Sequence, residues 1–303
     1  MRGRIYMTQL ADRVMVLGNG NFNYFIVGRE EAVLIECGTS AGADIFARQW
    51  QAEKNRPRIK YILVMHSHFD HVCGLPRLKD LFPQAQTAAS PAARKILARD
   101  KLKPVLIQAD AYVTDAYVRN GLLPDAPGGL DIDRVQAELA VAEGDSLIVD
   151  EGLQLDIIEA PGHSPCSLAA YFPSAKAMFI SDAAGYQIPD GLRSPVFFQD
   201  YDLYRETIRR LQQYPTEIVG VGHGEIPVGH DQVSQFYNRS MEAAAEAFDL
   251  IKDRLDRGQS EQSIVTELYD RYIKGAMSYY PPDLMMGSVS MLVKNVRNRM
   301  QMG

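Results

Sequence analysis

One short stretch, "YILVMHSHFDHVCG" at residues 61–74, constrains the fold more than any other. The 303-residue chain has six histidines, and three of them, His66, His68 and His71, fall here beside Asp70. The apolar run ahead of them reads as a buried strand. Imidazoles and a carboxylate at the end of such a strand need partners, because unpaired polar groups are costly to bury. His66 and His68 are two apart and project to one side of an extended chain. Asp70 and His71 open a helix predicted over "VCGLPRLKDLF". Four metal-capable side chains around one small volume are enough to begin two metal sites.

The fold must then deliver the remaining ligands, and the strand ends supply candidates. "LDIIEAPG" is followed by His163, "AMFIS" by Asp182 and "IVGVG" by His223, as "YILVM" is by His66. Four buried strands that end in metal-capable side chains would bring them to one rim of a sheet, where ligand sites collect in layered α/β folds. Glycines at 162, 222 and 224 permit sharp turns there. Singly, each residue has a plainer explanation: Asp70 as a helix cap, His163 as a loop residue, Asp182 as a turn former. Together they point to a metal site. His230 is left over as a surface residue at a helix start, and Cys73 and Cys166 read as small packing residues rather than thiolate ligands.

The order of elements fits this picture. "VMVLG", "NYFIVG" and "AVLIECG" read as hairpin strands ending at glycines, and "AGADIFARQWQAEK" as a helix. From about 90 to 142 a helical insertion is expected, with "SPAARKILARDKL" and "ADAYVTDAYVRNG" as its helices and "LPDAPGGLD" as a loop. Strands return at "DSLIVD", "LQLDIIEAPG", "SLAAYF" and "AMFISD". "DLYRETIRRLQQYP" is an amphipathic helix with Leu203, Ile208 and Leu211 on one side. Helices are predicted over 231–257, 261–274 and 284–299. This gives a domain over 1–229 and a helical cap over 230–303.

Composition narrows the function classes. A net charge of −6 argues against a nucleic-acid surface, which needs a basic face. Three scattered cysteines make no disulfide framework and fit a reducing compartment. The opening "MRGRIYMTQLADRVMVLG" has no signal-peptide core, and no apolar run approaches the ~20 residues of a membrane span. The expectation is a cytoplasmic protein with no membrane partner.

The ligand pattern resembles that of the metallo-β-lactamase superfamily: H-x-H-x-D-H at 66–71, then His163 in "APGHS", Asp182 in "ISD" and His223 in "GHG". The resemblance spans roughly residues 10–228. It implies a four-layer αββα sandwich of the α/β class and two divalent transition metal ions, zinc or iron, or manganese. By position, His66, His68 and His163 would hold the first metal and Asp70, His71 and His223 the second, with Asp182 bridging. The bridging Asp182 is the carboxylate of the family's ester, thioester and lactone hydrolases. The second half, "ISDAAGY", "PVFFQDYDLYRETIRRLQQYPTEIVGVGHG" and "MMGSVSML", is similar to thioesterases of the quinolone-signal-response type. That likeness places Phe198 and Ser288 near the substrate, and Tyr186 where the type has an acidic residue.

The chemistry so implied is hydrolysis by a metal-bridging hydroxide, available near pH 7 because metals acidify bound water, with Asp70 taking the proton. The substrate is expected to be a small molecule, an ester or thioester of an apolar acyl compound. A lactonase of the N-acyl homoserine lactone type and a regulatory protein with a secondary hydrolase site stand as alternatives. Six methionines, Met277, Met285, Met286, Met291, Met300 and Met302, lie with Tyr279 and Tyr280 near the end of the chain. They read either as a lid over an acyl pocket or as helix packing, and the helical end also offers a homodimer surface.

Overall fold

The computed structural model describes residues 6–150 and 152–302. The first five residues of the stretch read above as lacking a leader core lie outside the described residues. Seven strands form the first sheet in sequential order: β1 (Tyr6–Ala11), β2 (Val14–Gly18), β3 (Asn23–Gly28), β4 (Glu31–Ile35), β5 (Arg58–Leu63), β6 (Gln86–Ala89) and β7 (Leu139–Ala140). β1 to β4 are antiparallel hairpins, whereas β4 to β7 run parallel. The parallel pairs need crossovers. These are α1 (Ser40–Ala52), then α2 (Phe69–Val72) with α3 (Leu75–Leu81), then α4 (Pro91–Leu97) with α5 (Lys103–Arg119).

The second sheet holds β8 (Ser146–Asp150), β9 (Leu153–Glu159), β10 (Leu168–Phe172) and β11 (Ala177–Ser181). A two-stranded ribbon follows, β12 (Tyr186–Gln187) with β13 (Arg193–Ser194), and then α6 (Tyr201–Leu211) leads to β14 (Ile218–Val221). The strand order is β14-β11-β10-β9-β8. The chain ends in α7 (His230–Asp256), α8 (Glu261–Tyr272) and α9 (Pro282–Met302), with a 3₁₀ turn at Gly275–Tyr279.

Alternation along the strands produces the layers, since neighbouring side chains face opposite ways. Phe25, Val27, Val33 and Ile35 meet Leu155, Ile157, Phe172 and Phe179 between the sheets. Their neighbours Tyr24, Ile26 and Leu34 face outward onto Phe46 and Trp50 of α1. On the other side Ile158, Tyr171 and Ile180 join the helical outer layer, to which α6 contributes Ile208 and Leu211. The result is the αββα sandwich, with a helical extension at its carboxyl end.

Several local expectations change. "VCGLPRLKDLF" is not one helix: the break falls at Gly74, where an added Cβ would lie 2.1 Å from the Cys37 carbonyl oxygen. The helices of the 90–142 stretch end at Arg119, and its last residues form the edge strand β7. Strands β1, β6 and β7 escaped the pattern reading; β6 and β7, of four and two residues, are too short to show alternation. Leu203 is 38% exposed. The buried face of α6 is instead Tyr201, Tyr204, Thr207, Ile208 and Leu211, since tyrosine rings supply much of its apolar stripe.

Candidate metal centre

Topology gathers the ligand candidates. β4 and β5 are parallel, so Glu36 and His66 leave the first sheet at the same edge. β9 and β11 are both antiparallel to β10, and β11 is parallel to β14. The carboxyl ends of β9, β11 and β14 therefore share one rim, from which His163, Asp182 and His223 project. All seven sequence-derived candidates converge there.

The first group is tight. His163 Nε2 lies 3.2 Å from His66 Nε2 and 3.0 Å from His68 Nδ1, and His66 Nε2 lies 3.1 Å from His68 Nδ1. Asp70, His71 and His223 form a second group, and His66, His71 and Asp182 a third that overlaps both. Asp182 Oδ2 is 3.4 Å from His71 Nε2 and 3.7 Å from His163 Nε2, so this carboxylate stands between the first two groups. Asp70 Oδ2 is 3.3 Å from His223 Nε2 and 3.5 Å from His71 Nε2.

The far ring nitrogens are committed elsewhere. His163 Nδ1 donates to the Val196 carbonyl at 3.0 Å, and His223 Nδ1 to the Asn21 carbonyl at 2.8 Å. His71 Nδ1 donates to Glu36 Oε2 at 2.8 Å, and the Ser181 hydroxyl lies 3.3 Å from His66 Nδ1. A proton held on Nδ1 leaves a lone pair on Nε2 of a neutral ring. In the three-histidine group the inner nitrogens thus present lone pairs to one another, an arrangement that a shared cation relieves.

Three further observations fit divalent metals. His71 Nε2 and Asp182 Oδ1 are buried without a hydrogen-bond partner. Glu36, Asp70 and Asp182 are buried carboxylates, and the ion pairs recorded for them among the described residues are all with imidazoles. Buried charges need pairing or a metal. Tetrahedral coordination at ~2.0–2.1 Å separates ligand atoms by ~3.3 Å, close to the spacing of the three-histidine group. The residues fit divalent metal ions.

Electrostatics divides the rim in two. Burial, with the neighbouring imidazoles, lowers the pKa of His66, and burial with His163 takes His68 down to about 3. Burial works against ionisation of Asp70, but His71 and His223 outweigh it and hold the carboxyl at about 2. Burial likewise opposes protonation of His71, yet Glu36, Asp70 and Asp182 raise it. Only His66, His68 and His163 are thereby kept neutral, whereas the facing carboxylates favour a proton on His71 and His223, whose place a bound cation would take.

Local backbone serves the same end. Gly222 passes so close that an added Cβ would lie 2.9 Å from His71 Cε1 and 3.0 Å from Asp182 Oδ1. Glu36 and Ser181 take positive φ values of 80° and 51° although neither is glycine. Such conformations cost roughly 1–3 kcal/mol and cluster at functional sites. Glu36 was not among the sequence candidates, although "AVLIE" ends in a carboxylate just as the other strands end in their ligands.

The rim opens into a cavity of about 150 Å³. Leu106, Val196, Met277, Tyr280 and Met285 form much of its apolar wall. Tyr186, Phe198 and Ser288 all line it. The Phe198 ring lies 5.3 Å from that of His163, and Tyr186 5.6 Å from His223. The Ser288 hydroxyl is already engaged, donating to the Leu284 carbonyl at 3.1 Å. Met291 lines an adjoining open groove, while Met286 and Met300 pack against the core. The Met302 side chain lies outside the described ones. Cys73 and Cys166 are buried and belong to none of the ligand groups identified among the described residues. No helix of the described residues is long and apolar enough to cross a membrane.

Comparison with known proteins follows the same lines. A family model described as the metallo-beta-lactamase superfamily matches residues 18–223. The chain is 24% identical over 203 residues to the metallo-beta-lactamase fold-containing protein ST1585 of Sulfurisphaera tokodaii, covering 66% of this chain and 71% of that protein. Among solved structures, a beta-lactamase domain protein from Burkholderia ambifaria is similar with a TM-score of 0.64 at 15% identity, over 98% of this chain and 89% of that one. The sec-alkylsulfatase Pisa1 from Pseudomonas sp. gives a TM-score of 0.63 at 15% identity, over 97% of this chain and 50% of that one. The present chain thus spans about half the length of the alkylsulfatase. At such identities the structural likenesses speak for the fold alone.

Proposed function

We propose, from a chain that belongs to the metallo-β-lactamase superfamily, a dinuclear-metal hydrolase that cleaves an ester or thioester of an apolar acyl compound. One observation carries the reading: two groups of converging imidazole and carboxylate ligands stand at the mouth of a cavity of about 150 Å³ with apolar walls. His66, His68 and His163 would hold one cation, Asp70, His71 and His223 the other, with Asp182 between them. Such ions supply Lewis acidity toward a carbonyl and make water nucleophilic near neutral pH.

The chain's own residues do the rest. Asp70 lines the cavity as an ionised carboxylate, positioned to orient the attacking water and accept its proton. Phe198 and Tyr186 flank the reacting centre and exclude bulk water from it. Leu106, Met277 and Met285 take the acyl chain, and methionine's flexibility suits a pocket that adapts to its occupant. Met277, Tyr280 and Met285 of the cavity wall all come from the carboxyl-terminal extension. The extension therefore closes the site.

Metal analysis of the purified protein, followed by a parallel screen of acyl thioesters, simple esters, lactones and an alkyl sulfate, tests this. The expectation is about two equivalents of metal and turnover of esters or thioesters that zinc restores after chelation. Protein that binds no transition metal, or a metal-loaded sample inert to the whole panel, would overturn it. Turnover confined to lactones would redirect the substrate assignment.

A further inference from the structure

We infer that Asn295, on α9 of the carboxyl-terminal extension, is a positioning residue for the three-histidine metal group. The inference rests on the metal-site reading above and extends it to a residue that is neither a ligand nor part of the cavity wall. The Asn295 amide uses both of its N–H groups on one loop. Nδ2 donates to the Phe197 carbonyl at 2.7 Å and to the Phe198 carbonyl at 3.0 Å. These bonds span almost a hundred residues of sequence.

That loop, between β13 and α6, has no strand or helix of its own to hold it. Its preceding carbonyl, that of Val196, accepts the Nδ1 proton of His163 at 3.0 Å. The same carbonyl accepts from the Phe198 backbone N–H at 2.8 Å. Three successive carbonyls are thus divided between a proposed metal ligand and the last helix. The side chain within this arrangement matters as well, since the Phe198 ring lies 5.3 Å from His163 and 6.5 Å from His68. Fixing peptides 197 and 198 fixes the Val196 acceptor, and that acceptor sets the tautomer and tilt of His163.

Partners that orient a metal-ligating histidine typically affect metal affinity 10–100-fold when lost. Asn295 acts one bond further out, so a change of about tenfold is expected at the three-histidine group. The group formed by Asp70, His71 and His223 depends instead on Glu36 and the Asn21 carbonyl, and should keep its affinity.

The test is zinc retention against a chromogenic chelator for the full-length wild type and for Asn295→Ala, Asn295→Asp and Asn295→Gln. Thermal melts accompany each. Val296→Ala serves as a control, because Val296 is fully buried on the same helix and its apolar side chain makes none of the hydrogen bonds to the loop. The expected result is that Ala and Asp release one of two zinc equivalents about tenfold faster than wild type. Asp is the worse of the two, since neither can donate and its carboxylate would also face two carbonyl oxygens. Gln, which keeps the amide, is expected to recover part of the retention, and Val296→Ala to lower Tm with both zincs retained normally. Wild-type zinc release in the Ala and Asp variants would overturn the inference, as would equal zinc loss in Val296→Ala at matched Tm. A wild type that holds no zinc would instead overturn the metal-site reading itself.

Discussion

His71 donates its Nδ1 proton to Glu36 across 2.8 Å, and both side chains are buried. Glu36 thereby points the opposite nitrogen of His71 at Asp70 and Asp182. Its backbone sits at φ 80°, so the chain accepts strain to place this carboxylate. Replacing Glu36 by Ala is expected to weaken zinc binding at the second group by about 10–100-fold. Glu36→Gln, which keeps an acceptor but loses the charge, should fall between. Chelator competition on the two variants measures both, and unchanged retention would remove Glu36 from the site.

Asp182 touches both ligand groups, approaching His71, His163 and His223 within 3.4–3.8 Å. Asp182→Ala should therefore impair both metals together, where His68→Ala impairs mainly one. Activity is expected to fall more than about 100-fold, with less than one equivalent of zinc retained. Two full equivalents in the variant would contradict a bridging position.

Met285 is buried and lines the cavity from α9. Truncating it to Ala enlarges the pocket, so preference should move toward longer acyl chains. Each lost or gained methylene contact is worth about 1–3 kcal/mol, or 10–200-fold in relative kcat/KM. A chain-length series on wild type and variant reads this directly, and an unshifted optimum would place the acyl group elsewhere.

Asp110 of α5 is buried and accepts a hydrogen bond from the Ser40 backbone N–H at 2.8 Å, at the start of α1. Burial pushes its carboxyl pKa up, partly offset by Ser40. A folded pKa above the unfolded one means that the native state binds the proton more tightly. That contribution is fully present below the unfolded value of ~3.9 and is lost as pH rises through the raised folded value. Asp110→Asn keeps an acceptor for Ser40 and removes the titration. Its Tm relative to wild type should therefore climb between about pH 4 and neutrality. A constant difference across that range would show that Asp110 does not titrate as burial dictates.

Most of the candidate site was legible because metal ligands are a restricted set of side chains, and those here follow apolar strands. His66, His68, Asp70, His71, His163, Asp182 and His223 could be read off in that way before any fold was known. Glu36 carried the same signal at the end of "AVLIE", but it lies well upstream of the histidine cluster and has no histidine beside it. Val196, Asn21 and Asn295 carried none. The first two act through backbone carbonyls, which every residue possesses, and the third through an amide that sequence cannot aim. The buried face of α6 departs from its apolar pattern for a related reason, because Tyr201 and Tyr204 pack as apolar rings despite their hydroxyls.

The chain's residue types alone therefore determined which chemistry is available, since donor identity is a local property, and the layered class of fold followed from the family resemblance that their spacing carries. Tertiary structure decided the rest: which rim the strand ends share, which nitrogen of each imidazole faces inward, and how a helix from the carboxyl end comes to brace a loop beside His163. Those outcomes depend on strand direction and on distances between segments far apart in the chain, and such distances exist only once the two sheets have packed.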